Sequence, residues 1–74
     1  MSLNRVGSGQ KVKVKNINNL SVRSALLNIG VLRDDNLEVI RKSFLGSPLY
    51  LRADNGLFFA LRTNEAKSID VEEL

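Results

Sequence analysis

The chain has no cysteine, no histidine, no tryptophan and a single proline, and its aromatic content is only 5%. Without cysteine there is no disulfide staple, no thiolate nucleophile and no cysteine-ligated zinc or iron–sulfur site, which suits a reducing compartment. Without histidine a serine nucleophile has no ordinary base. No glycine-rich loop leads into a Lys-Ser or Lys-Thr pair of the phosphate-cradling kind. Catalytic residues and bound cofactors are therefore not expected. No window approaches the roughly 20 apolar residues that span a bilayer, and residues 1–6 have no long apolar stretch behind Arg5, so neither membrane insertion nor secretion is indicated.

What is present is ordinary for a small globular domain. Of 74 residues, 43% are hydrophobic and 26% charged, with eleven Lys and Arg against eight acids, a net charge of +3. That length gives one domain over 1–74. Ordering it costs on the order of 100 kcal/mol, at about 1.5 kcal/mol per residue, so most apolar side chains should be committed to the core.

Residues 10–15 alternate, with Val12 and Val14 on one face and Lys11, Lys13 and Lys15 on the other, which predicts a half-buried strand after the Gly7-Ser8-Gly9 turn. From Ser21 the period changes. Val22, Ala25, Leu26 and Ile29 stand at i, i+3, i+4 and i+7, the core face of a two-turn helix that Asn19 or Ser21 can cap and Gly30 can end. After a polar turn at Asp34-Asp35-Asn36, residues 37–42 alternate again. Leu45-Gly46-Ser47-Pro48 interrupts them and 49–53 resumes, giving a hairpin. Asp54-Asn55-Gly56 is a tight-turn signal before a fourth strand over 57–62, with Leu57, Phe59 and Leu61 inward. Thr63 can cap a single turn through Ala66, and 68–74 forms a last strand with Ile69 and Val71 inward. The expectation is a mostly β chain, an SH3-like, partly open barrel of five short strands with one short α-helix after the first strand.

The order of these motifs resembles the FeoA family, small cytosolic proteins associated with bacterial ferrous iron uptake. The similarity runs through Leu26-Leu27-Asn28-Ile29-Gly30, then Leu37-Glu38-Val39-Ile40-Arg41-Lys42, the Leu-Gly-x-Pro hairpin at Leu45-Gly46-Ser47-Pro48, and Gly56 followed by Ala60-Leu61-Arg62 and Glu65-Ala66. Three positions depart from the family pattern: Ser47 where an acid is common, Phe44 where proline is common, and Asp34-Asp35-Asn36 where Pro-Gly often turns. The resemblance implies a cytoplasmic accessory that reaches the inner face of the membrane only through its partner, the GTP-binding part of the transporter FeoB. The same fold also occurs as the C-terminal domain of iron-dependent repressors, but a chain starting at Met with no winged helix fits the accessory better.

Several residues are candidates for partner contact. Phe44 and Leu45 sit beside Gly46 and Pro48 at a hairpin tip, where they either form an exposed apolar patch or fold back to plug one end of the core. Arg23 and Leu27 lie off the helix's core face, and Phe58 faces away from Leu57, Phe59 and Leu61 by strand alternation. The chain should fold alone or as a homo-oligomer. Lys11, Lys13 and Lys15 offer a basic stripe to nucleic acid, but no aromatic interleaves with it as a base-stacking platform would, and an edge strand guarded by lysines explains it more simply. Asp34-Asp35 and Glu72-Glu73 are carboxylate pairs, yet neighbours on a strand point to opposite faces, so no metal site is expected and ferrous iron would find at most a weak contact.

Overall fold

The period-2 segments become strands in a computed structural model that describes residues 1–74, Gly46 by its backbone alone. The strands are β1 (Lys11–Ile17), β2 (Asn36–Lys42), β3 (Leu49–Ala53), β4 (Phe58–Leu61) and β5 (Ile69–Glu73), with helices α1 (Leu20–Asn28) and α2 (Thr63–Ala66) and two 3-10 turns, Leu3–Arg5 and Phe44–Gly46. One antiparallel sheet holds all five strands in the order β4-β3-β2-β1-β5. The mostly β expectation holds, with α1 following β1. The strand pairings of the described residues form an open series with β4 and β5 at its ends, and none of them closes a barrel.

Alternation selects the core. Val12 and Val14 of β1, Leu37 and Val39 of β2, Leu49, Leu51 and Ala53 of β3, and Ile69 and Val71 of β5 all point to one face and are buried. Every buried residue of the described set is apolar. The sheet bends at two register shifts, at Lys15 in β1 and at Ile40 in β2, where an extra residue on one strand sharpens the local twist.

Helix α1 starts where Asn19 caps it, the Asn19 side-chain oxygen accepting the Val22 N–H at 3.0 Å. It ends at Gly30, whose φ of +86° lies in the left-handed region that glycine enters without steric cost. Only Val22 and Leu26 of its expected core face are buried. Ile29 is half-buried and Ala25 is exposed, because the helix meets the sheet along one narrow strip. Leu57 is also exposed rather than inward: the Asp54-Asn55-Gly56 turn runs on through it and β4 begins at Phe58. Helix α2 takes Arg62 as its N-cap, and Glu65 Oε1 reaches back to accept the Arg62 N–H at 2.8 Å. The N-terminal segment, which shows no period of its own, contributes Leu3 and Val6 to the centre of the core, both fully buried.

Candidate interaction surface

The hairpin between β2 and β3 carries a rigid stem and an apolar tip. At the stem, the Ser43 N–H and Oγ both donate to the Pro48 carbonyl at 3.1 Å, the Thr63 N–H donates to Ser47 Oγ at 3.2 Å, and Lys42 Nζ donates to the Asn4 carbonyl at 2.9 Å. At the tip, Phe44 is 90% exposed and Leu45 89%. Leu45 holds φ 71°, ψ 9°, a conformation that costs a residue with a Cβ about 1 kcal/mol or more. Pro48 is half-buried below them, whereas the exposure of Gly46 lies outside the described residues. Of the two placements the sequence leaves open for Phe44 and Leu45, the exposed one is observed.

Arg23 and Leu27 are exposed on α1, and Arg23 Nη2 donates to the Ile17 carbonyl at 2.9 Å. They line a groove of about 380 Å³ with Asn16, Ile17, Leu32 and Arg33. This groove and the hairpin tip lie at opposite ends of the sheet. Lys42 pairs with Leu49 at the tip end of β3, whereas Asn55, just past the other end, donates from Nδ2 to the Ile29 carbonyl behind α1 at 3.3 Å. A strand of five residues separates them by about 17 Å. The candidate residues on the tip and on the helix therefore do not form one continuous patch.

Phe58 is 66% exposed and belongs to a third area, the outer face of β2, β3 and β4. There it lines a shallow groove of about 470 Å³ with Ile40, Arg41, Tyr50 and Ala60, and the Arg41 guanidinium stacks 4.9 Å from the centre of the Tyr50 ring. Tyr50 and Ile40 are additional exposed apolar residues. Strand alternation signals Tyr50, but Ile40 is exposed at a register shift that no alternation encodes.

The basic stripe has a different setting from the expected edge. Strand β1 is interior, paired with β2 on one side and β5 on the other. Its lysines lie among acids: Lys11 opposite Glu38, Lys13 opposite Glu72, and Lys15 Nζ within 3.5 Å of Glu72 and 3.9 Å of Asp34. Asp35 is occupied locally, its Oδ2 accepting the Leu32 N–H at 2.8 Å. Among the described residues no three carboxylates converge into a set that would hold a metal ion. No helix among them is long and apolar enough to cross a membrane.

A family model described as the FeoA domain matches residues 1–73. The whole chain superposes on the solution structure of a FeoA protein from Chlorobium tepidum with TM-score 0.91 at 31% identity, covering 70% of that protein. A FeoA-like protein from Clostridium acetobutylicum gives TM-score 0.88 at 36% identity, with 100% of this chain and 86% of that one covered. A Stenotrophomonas maltophilia FeoA complexed with zinc, a procaryotic SH3-domain protein, gives 0.83 at 23% identity over 97% and 89% of the two chains, a likeness of fold. The comparison with curated proteins finds no match.

Proposed function

The chain belongs to the FeoA family, whose role is that of an accessory in ferrous iron transport, and from that premise we propose that it binds the cytoplasmic GTP-binding part of a FeoB-type transporter through the hairpin tip. The observation that carries this reading is the placement of Phe44 and Leu45, two large apolar side chains side by side and about nine-tenths exposed, on a stem fixed by four hydrogen bonds. A chain with so little core gains nothing in stability from two exposed apolar groups, one of them in a strained backbone, and both become useful when a partner buries them. The stem makes the contact pre-organised, so little ordering cost is left to be met on binding. The contact is regulatory and passive: the chain supplies shape and apolar surface, and the transporter supplies the chemistry.

The test is titration calorimetry of the purified transporter cytoplasmic domain with the parent chain and with Phe44→Ala/Leu45→Ala. An apolar anchor at a contact centre costs about 2 kcal/mol or more when truncated, so the double variant should bind at least about thirtyfold more weakly. Equal affinity in a folded double variant would reject the tip as the contact.

A further inference from the structure

The two edges of the sheet are finished differently. Along β5 the N-terminal segment is laid on as a short sixth element: Ser2 bridges Asp70, the Met1 ammonium donates to the Val71 carbonyl at 3.2 Å, and the Val71 N–H donates to the Met1 carbonyl at 2.8 Å. Along β4 no further strand is paired among the described residues. The Ala53 N–H donates to the Leu57 carbonyl at 2.9 Å, and the ladder continues through Leu51 opposite Phe59 and Leu49 opposite Leu61. Antiparallel alternation then turns the N–H and C=O of Phe58 and Ala60 away from β3, toward the open edge.

Open edges are usually guarded by lysine, proline or a bulge. Strand β4 has none of these. It reads Phe58-Phe59-Ala60-Leu61, uncharged, with an unbroken register against β3. Phe58 and Ala60 are exposed on its outer face and Phe59 is half-buried on the inner one.

We propose that β4 pairs with β4 of a second copy of this chain, antiparallel about a twofold axis at Phe59, so that two sheets join into one continuous sheet. In this register Phe58 lies opposite Ala60 of the second copy, so the outward N–H and C=O groups of both residues are satisfied reciprocally. A large side chain meets a small one on the outer face, and the two Phe59 rings meet on the inner face. The strand brings no charge to this contact. Beyond its end the same register sets Arg62 level with Gly56 of the second copy, so no like charge faces it. One four-residue strand makes a small interface of the weak class, so the dissociation constant is expected between about 1 µM and 1 mM.

The surface is separate from the hairpin tip, and Phe44→Ala/Leu45→Ala should dimerise like the parent whatever its effect on transporter binding. The experiment combines sedimentation equilibrium up to about 1 mM with amide hydrogen exchange at low and high protein concentration. The parent should shift toward twice the monomer mass, and the Phe58 and Ala60 amides should become protected only at high concentration. Phe58→Lys, a change at an exposed site, should keep the melting temperature and return the mass to that of the monomer. Ala60→Lys serves as a second guard if Phe58→Lys disturbs the fold. A parent that stays monomeric at about 1 mM overturns the proposal and leaves the edge to a strand of another protein. A dimer whose Phe58 and Ala60 amides exchange freely, or one unchanged by either folded lysine variant, overturns it equally.

Discussion

Two 3-10 turns of three residues each have opposite fates in this molecule. The first, Leu3–Arg5, sits against the sheet with Leu3 fully buried and Val6 fully buried just after it. The second, Phe44–Gly46, presents Phe44 and Leu45 to solvent. The first turn carries one leucine and is inside; the second carries a phenylalanine beside a leucine and is outside. Hydrophobicity does not account for that difference. Strand contacts on either side of each turn decide it: Ser2 and Met1 are bonded to β5, which draws Leu3 inward, whereas the Ser43–Pro48 bonds hold the second turn beyond the end of the sheet. Local connection, rather than side-chain size, assigns a short turn to the core or to the surface.

Substitution separates the two turns sharply. Leu3→Ala should be the most damaging change: it empties a fully buried site, at a cost of about 2–5 kcal/mol, a large share of the stability of so short a chain. Circular-dichroism melting should show a variant largely unfolded or melting far below the parent. The double change Phe44→Ala/Leu45→Ala removes more apolar surface yet should leave the melting temperature within a few degrees, since exposed substitutions usually stay within about 0.5 kcal/mol. A collapse comparable to that of Leu3→Ala would abolish the distinction between the turns. The smallest effect is expected from Leu45→Gly, which relieves the positive φ but enlarges the conformational freedom of the unfolded chain. The two contributions oppose each other at about 1 kcal/mol each, so the melt should move little in either direction, while transporter binding falls with the lost side chain.

Much of this arrangement was legible in the sequence where the pattern is local. The bounds of β3 follow from strict alternation between Pro48 and Asp54, and the Asn19 cap and Gly30 stop delimit α1. Pairings across long sequence separations were not legible. Strand β1 reads as a lysine-guarded edge until β5, more than fifty residues later, is seen to lie beside it. Ala25 has the helical spacing of a core residue but faces solvent, because spacing reports periodicity and not the width of the surface the helix meets. The first 3-10 turn left only a spacing of three between Leu3 and Val6, too short a pattern to distinguish from chance. At the interaction surface, the outward aim of Phe58 was readable from alternation. That the tip lies outside the core was not, because the direction of a hairpin depends on backbone angles such as those of Leu45.

The lysines of β1 have a consequence for polyanions. A protein binds nucleic acid strongly at low salt because each cation that meets a phosphate releases a condensed counterion into solution, an entropic gain lost as salt rises. Lys15 already lies between Asp34 and Glu72, and Lys13 and Lys11 face Glu72 and Glu38 across the sheet. A phosphate approaching this stripe meets carboxylates that repel it and lysines whose charge is locally balanced, so little counterion release remains to be gained. The chain's net +3 is a sum over its whole surface, and on β1 the three lysines stand among Asp34, Glu38 and Glu72.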